Sequence, residues 1–196
     1  MKTPMQYQMT EFDCGQSSVL NALRFLFERE EIVPEMVKHI EMYTLDSYND
    51  KGEYGKNGTS KMAMMFLASW LNDFSKKRNF PLECEFLEME EVVVTPDSKI
   101  AGALENGGVV VLRLVLEVGH YVLLTGVSGN KVEIFDPYYW VKKIDREGVE
   151  MLESSGLVPN RRVTFEALNT ESNIYSLGNI QKLEAVIIYN TETKKS

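Results

Sequence analysis

The sequence predicts a single α+β domain in which a helical N-terminal half packs to one side of an antiparallel β-sheet formed by the C-terminal half. Apolar residues recur every three or four positions through about residue 80, as in amphipathic helices. From about residue 81 the chain changes to short β-branched runs separated by Gly, Asn and Asp. No internal repeat or low-complexity tract interrupts the 196 residues. We therefore expect helices in residues 1–80, strands in residues 81–190 and a frayed tail at residues 191–196.

Three helices are predicted in the first half. The first follows Asp13, a residue type favoured at the N-cap. The second begins at Pro34, because proline suits the first helical turn. The third is capped by Thr59 or Ser60. Between the second and the third, residues 46–58 are rich in Gly and Asn and predict a long mobile loop of the kind that often lines a site.

The second half alternates strands with turn signals. A strand near residues 83–89 precedes a short helix capped by Asp97 or Ser98. Four further strands are predicted from the runs VVVLRLVL, GHYVLLTGV, KVEIFD and LEAVIIYN. Residues 128–130 predict a three-residue turn between the second and third of these runs, with Asn130 in the left-handed conformation.

Composition excludes several classes of function. The net charge of −8 and the pI of about 4.9 argue against a nucleic-acid partner. No stretch approaches the roughly 20 apolar residues of a membrane span, so we expect a soluble, cytoplasmic protein. Cys14 and Cys84 are too few for a disulfide framework, and Cys84 alternates with apolar residues as a core residue would. The two histidines, His39 and His120, show no zinc-site spacing, so neither a metal nor another cofactor is expected.

The predicted hairpin brings His120 and Asp136 together. With a three-residue turn, Val127 opposes Lys131. Each further pair lies one residue earlier on the first strand and one residue later on the second. Asp136 then opposes Val122. His120 lies two residues from Val122 on the same face, so His120 and Asp136 are diagonal neighbours at roughly 7–8 Å between backbones.

Cys14 completes a pattern of nucleophile, base and orienting carboxylate. The hairpin face that carries His120 and Asp136 is otherwise apolar, so we expect helices to cover it, with the two polar residues at its open edge. Cys14 opens the first of those helices, where unpaired N–H groups and the helix dipole favour a thiolate. Gln8, six residues earlier, supplies an amide that could join the Cys14 N–H in an oxyanion hole.

These windows resemble a known family. The stretch QMTEFDCG at residues 8–15, the run GHYVLLTGV and Phe135-Asp136-Pro137 are similar to papain-like peptidases that remove double-glycine leaders from bacteriocins, and to their stand-alone relatives. The resemblance implies a bacterial protein with a papain-like fold, a triad of Cys14, His120 and Asp136, Gln8 in the oxyanion hole, and a peptide or protein substrate. Gly15 is followed by Gln-Ser-Ser, where members often carry Ala and a second Cys. Many members are also fused to an exporter, and none is encoded here.

Other interpretations stay open at this stage. The same triad could pass the acyl group to an amine or deamidate glutamine. An inactive papain-like module could bind peptides or a partner protein in the former cleft. Taken singly, Cys14 could be a small buried core residue and Asp136 a turn residue. The residues after about 145 receive no assigned role, and no oligomeric state is predicted.

Overall fold

The computed structural model describes residues 1–140, 142–153 and 155–195, and it has the α+β character that the sequence predicts. The helices of the described chain are α1 (Cys14–Leu26), α2 (Pro34–Tyr43), α3 (Lys61–Arg78), α4 (Lys99–Glu105) and α5 (Phe165–Asn169). Its strands are β1 (Leu82–Glu88), β2 (Val109–Leu116), β3 (Val118–Ser128), β4 (Lys131–Phe135), β5 (Val149–Met151), β6 (Arg161–Thr164), β7 (Ile174–Ser176) and β8 (Glu184–Asn190).

All eight strands belong to one antiparallel sheet. Its order is β1-β8-β2-β3-β4-β6-β5, with β7 pairing beside β2. The last strand of the chain, β8, is therefore inserted between β1 and β2. Strand β3, which carries His120, lies in the middle of the sheet and is braced on both sides.

Helices cover both faces of the sheet, so the predicted one-sided packing is wrong. Helices α1, α2 and α3 pack on the face that presents Leu123 and Phe135. Helices α4 and α5 pack on the opposite face, which presents Val122 and Ile134. The reason is that the central strands are apolar on both sides, and each fully buried Val or Leu contributes about 1.5–3 kcal/mol. Helix α1 thus lies on the face opposite to Val122, not on the predicted one.

The helix starts follow local chemistry. Pro34 is the first residue of α2, as predicted. The Ser60 hydroxyl accepts a hydrogen bond from the Ala63 N–H at 3.1 Å and caps α3, and Ser98 caps α4 through the Ala101 N–H at 3.2 Å. None of the described helices combines the length and the hydropathy that a bilayer crossing needs.

The turn of the β3–β4 hairpin differs from its prediction. Ser128 pairs directly with Lys131, which leaves a two-residue loop of Gly129 and Asn130. Gly129 has the positive φ of +61°, and Asn130 does not take the left-handed conformation. Glycine at the first loop position suits a two-residue hairpin turn, because it adopts positive φ without a steric cost.

A bulge at Thr125 shifts the register back. Gly126 pairs with Glu133 but Leu124 pairs with Ile134, so one residue of β3 is extra between them. Leu123 then opposes Phe135, which is the pairing that the sequence predicts for this end of the hairpin. The predicted relation between His120 and Asp136 therefore holds, although the turn was placed one residue too long.

The segment after residue 145 contributes four elements that the sequence analysis missed, namely β5, β6, α5 and β7. These strands have three or four residues, too few to show a periodic pattern. Within the tail that is predicted to fray, the Lys195 N–H donates to the Asn106 carbonyl at 3.0 Å. Residue 196 lies outside the described residues.

Candidate active site

Cys14 is the first residue of α1, and its side chain lies against the sheet. It is only 8% exposed. Asp13 occupies the predicted N-cap position, but its carboxylate makes no capping bond to the helix. It accepts instead from the N–H groups of Met9 at 2.9 Å and Thr10 at 2.7 Å. The residue before the thiol thus fixes the loop that leads to it.

His120 connects Cys14 to Asp136. Its Nε2 is hydrogen-bonded to Asp136 Oδ1 at 2.8 Å, which confirms the predicted proximity of the two side chains. The imidazole also interacts with the Cys14 side chain, and each group shifts the pKa of the other. Because Nε2 is occupied by the carboxylate, Nδ1 is the ring nitrogen left for the sulfur. His120 therefore links the carboxylate of Asp136 to the thiol of Cys14.

The charges of the three groups support one another. Burial opposes the Cys14 thiolate, but the hydrogen bond and charge of His120 outweigh it and lower the pKa of the thiol. Burial also opposes the imidazolium, but the Asp136 carboxylate and the Cys14 sulfur raise the pKa of His120 to about 10. Burial likewise opposes the ionised form of Asp136, but the His120 charge and several hydrogen-bond donors lower the pKa of this carboxyl. All three shifts favour a thiolate–imidazolium pair beside an ionised carboxylate over the neutral forms of the same groups.

Asp136 is buried, not at an open edge as predicted, since it is only 1% exposed. Its Oδ1 accepts from the Tyr138 N–H at 2.7 Å as well as from His120. Its Oδ2 accepts from the hydroxyl of Tyr175. The Asn160 side chain forms two hydrogen bonds with the Asp136 backbone. Its Oδ1 accepts from the N–H at 2.8 Å, and its Nδ2 donates to the carbonyl at 2.8 Å. Sequence reasoning missed both Asn160 and Tyr175.

Gln8 lies close to the same end of the sheet. Its backbone N–H donates to the carbonyl of Pro137, the residue after Asp136, at 2.8 Å. One Nε2 hydrogen is used by the Thr10 carbonyl at 2.6 Å, and the second has no protein acceptor among the described residues. The side-chain oxygen is buried without a partner. Gln8 is not one of the residues that line the cleft described next.

A cleft of about 610 Å³ opens beside Cys14. One wall is the loop predicted from residues 46–58, represented by Ser47 and by residues 56–58, so part of this loop lines the cleft. The opposite wall comes from the sheet and includes Tyr121. The thiol is therefore accessible from a space large enough for an extended peptide segment.

Arg113 and Glu184 form the sheet side of this cleft, and the sequence analysis assigned neither. The hydroxyl of Tyr121 donates to one carboxylate oxygen of Glu184, and Arg113 Nε lies 3.7 Å from the same oxygen. Burial raises the pKa of Glu184. The guanidinium of Arg113 lies over Gly119, where a Cβ would come within 2.0 Å of it, so a larger residue before His120 would displace the end of the Arg113 side chain. The sequence offers one signal for Glu184, because it is a charged residue at the start of the otherwise apolar run EAVIIYN.

The remaining cysteine and histidine have structural surroundings. Cys84 lies in β1 within the apolar core, and burial raises the pKa of its thiol far above the ordinary value. Neither cysteine forms a disulfide. His39 stacks on Trp70 with ring centroids 4.1 Å apart and bonds the Glu35 carbonyl through Nδ1 at 2.8 Å. In the described residues, no group of three or more His, Cys, Asp and Glu side chains could hold a metal ion.

Comparison with known proteins identifies a similarity in structure. No protein-family model matches the chain, and no curated protein matches it in sequence. Among solved structures, the chain is similar to the crystal structure of a double glycine motif protease from an AMS/PCAT transporter in complex with the leader peptide. The identity is 14%, the match covers 96% of this chain and 90% of that chain, and the TM-score is 0.44. This protease is of the kind that the sequence motifs resemble.

Proposed function

We propose that the protein is a papain-like cysteine peptidase that hydrolyses peptide bonds, with Cys14 as nucleophile, His120 as general acid and base, and Asp136 as the residue that orients His120. One observation carries this proposal: His120 is hydrogen-bonded to Asp136 and interacts with Cys14 beside a cleft, and the pKa values of Cys14 and His120 are shifted toward a thiolate–imidazolium pair. Such shifts at a cleft are typical of catalytic groups, because both nucleophile and proton donor must be ready at neutral pH.

The chemistry follows from the arrangement. The Cys14 thiolate attacks the carbonyl carbon of a bound peptide, and the carbonyl oxygen gains the negative charge. The His120 imidazolium gives its proton to the leaving amine, so that the first product departs and an acyl-enzyme remains. Neutral His120 then takes a proton from water, whose hydroxide attacks the acyl carbon and releases the second product and the thiolate. Asp136 keeps the imidazole in one orientation through both steps.

Gln8 is the proposed side-chain donor to the oxyanion, together with the backbone N–H of Cys14. Two features support this role. The bond from the Gln8 N–H to Pro137 keeps Gln8 next to Asp136, and the bond to Thr10 leaves one Nε2 hydrogen available. The Cys14 N–H belongs to the first turn of α1, where backbone donors have no partner within the helix. Both donors act on charge that exists only after attack.

Cleavage of a peptide library tests the proposal directly. We expect new termini to appear with the wild-type protein and with Cys84→Ala, and none with Cys14→Ala. The library should include double-glycine sequences, as the sequence motifs suggest. Peptides that bind equally to wild-type protein and Cys14→Ala without being cleaved would instead establish a binding module. Products in which the new carboxyl is joined to an added amine, or glutamine is converted to glutamate, would establish transfer or deamidation.

A further inference from the structure

The segment after residue 145 builds a second layer around the candidate site. The hydroxyl of Tyr175, in β7, donates to Asp136 Oδ2, the carboxylate oxygen that His120 does not use. Arg161, in β6, donates from Nε to the oxygen of the same hydroxyl at 3.1 Å. A chain of hydrogen bonds therefore runs from His120 through Asp136 and Tyr175 to Arg161. Asp136, Tyr175 and Arg161 are each more than nine-tenths buried.

We propose that Tyr175, backed by Arg161, is a positioning residue that fixes the Asp136 carboxylate in the orientation from which it holds His120. This inference rests on the proposed function, since it concerns the same three residues. It assigns a role to a part of the chain to which the sequence pattern gave none.

The geometry leaves Asp136 little freedom. A carboxylate bonded only to His120 and the Tyr138 N–H would be held through a single oxygen and could rotate about its Cβ–Cγ bond. The Tyr175 hydroxyl occupies the other oxygen and prevents this rotation. Burial and the adjacent Asp136 charge raise the pKa of Tyr175 well above its ordinary value, so the hydroxyl stays protonated and acts as a donor.

The backbone of Tyr175 supports the same conclusion. Its φ is +50°, a conformation that side-chain-bearing residues rarely adopt and that costs free energy. It lies between Ile174, which pairs with Leu116, and Ser176, which pairs with Val115, at a point where the register shifts. The strand is thus distorted at the one residue whose hydroxyl reaches Asp136. Such distortion persists where surrounding contacts hold it, and it is concentrated at functional sites.

The test measures Cys14 reactivity against pH, so the charged groups around Asp136 matter. These are His120 on β3, Cys14 on α1 and Arg161 on β6, together with the phenol groups of Tyr175 and Tyr138. Of these, Tyr175→Phe removes only a neutral donor. Without it the Asp136 carboxylate is less stabilised, so it protonates at a higher pH and gives less support to the His120 imidazolium that favours the thiolate.

The rate of iodoacetamide alkylation is to be measured separately at Cys14 and Cys84 by mass spectrometry, between about pH 4 and pH 9. For Tyr175→Phe we expect the acid-side midpoint of Cys14 alkylation to rise by about one pH unit, with about a tenfold lower rate near that midpoint. Tyr189→Phe is the matched control, because Tyr189 lies on β8 away from the site, and its midpoint should equal that of the wild type.

A second variant covers the case in which Tyr175→Phe does not fold. Arg161→Lys keeps a cation but removes the guanidinium Nε, and a shift in the same direction but smaller is expected. A purely structural role for Tyr175 would lower the melting temperature without moving the midpoint. A wild-type midpoint in either folded variant overturns the proposal. Alkylation requires no peptide substrate, so the two proposals can be separated. If the Cys14 midpoint shifts in the variants but the wild-type protein cleaves no peptide, the proposed function is wrong and this inference stands.

Discussion

The two cysteines are almost equally buried, yet their surroundings give them opposite chemistry. Cys14 is 8% exposed and Cys84 is 6% exposed. Burial alone raises the pKa of a thiol, and this is what happens at Cys84, in the apolar core beneath α3. At Cys14 the same penalty is present, but the charge of His120 reverses the shift. The pair teaches that the direction of the pKa shift depends on one charged neighbour and not on exposure.

Removing that neighbour should have the largest effect. In His120→Ala, peptide turnover should fall by about 10⁴-fold or more, because the base, the acid and the counter-charge of the thiolate are lost together. Steady-state cleavage of a peptide found in the library experiment measures it. Alkylation of Cys84 serves as the internal control and should not change. Turnover within tenfold of the wild type would remove His120 from the mechanism.

Replacing the carboxylate with an amide tests the next member of the chain. Asp136→Asn keeps the shape but lacks the charge, so turnover should fall by about 10²–10³-fold as His120 loses its counter-charge. Asp136 is buried and bonded to Tyr175 and Asn160, so the free energy of unfolding should also fall by roughly 3 kcal/mol. The variant should therefore unfold at a lower denaturant concentration. Circular dichroism establishes whether the fold is kept. A wild-type rate would show that Asp136 serves stability alone.

The amide donor should have a smaller effect. In Gln8→Ala, kcat should fall about 10- to 100-fold with little change in KM, because the lost hydrogen bond forms only in the transition state. Gln6→Ala is the matched control, since Gln6 is exposed and contacts Arg24, away from the cleft. An unchanged kcat in Gln8→Ala would mean that backbone donors alone stabilise the oxyanion.

The ion pair should also appear in the pH dependence of stability. The raised pKa of His120 contributes stability that is fully present below 6.5, its ordinary value, and is lost as the pH rises through about 10. The lowered pKa of Cys14 contributes stability that is present above 9.0, its ordinary value, and is lost as the pH falls. From the higher of pH 6.5 and the folded-state pKa of Cys14 up to pH 9.0, the folded and unfolded chains bind the same number of protons at this pair.

Wild-type unfolding free energy should therefore show a plateau in that window, with slopes of up to about 1.4 kcal/mol per pH unit on either side. Cys14→Ser retains the raised pKa of His120 alone, so its stability should begin to fall at about pH 6.5. Urea denaturation of both proteins across this range measures the difference. Identical curves would mean that Cys14 and His120 do not titrate as a pair.

The sequence contained enough to place the three central residues, for reasons that are local. Asp13 and Pro34 mark helix starts, and alternation along the hairpin assigns His120 and Asp136 to one face. The hairpin prediction succeeded because the two-residue turn and the bulge at Thr125 each change the register by one residue, in opposite directions.

What the sequence could not show are the contacts made across long stretches of chain. Tyr175 reaches Asp136 from 39 residues away, and Glu184 reaches Tyr121 from 63 residues away. Their elements are short or lie at strand ends, so no periodic pattern marks them. The packing of helices on both faces was missed for a related reason: fully apolar strands do not reveal which face each helix covers.

The smallest expected effect completes the comparison of the two thiols. Cys84→Ala should leave both peptide turnover and the pH profile of Cys14 alkylation unchanged, because no hydrogen bond among the described residues links the Cys84 sulfur to the candidate site. Losing one buried sulfur should lower the unfolding free energy by only about 1 kcal/mol. Denaturant titration and alkylation of the same sample measure both. If Cys84→Ala moved the Cys14 midpoint, the two environments would be coupled through the sheet, and the charge of His120 would no longer suffice to explain why only one thiol is reactive.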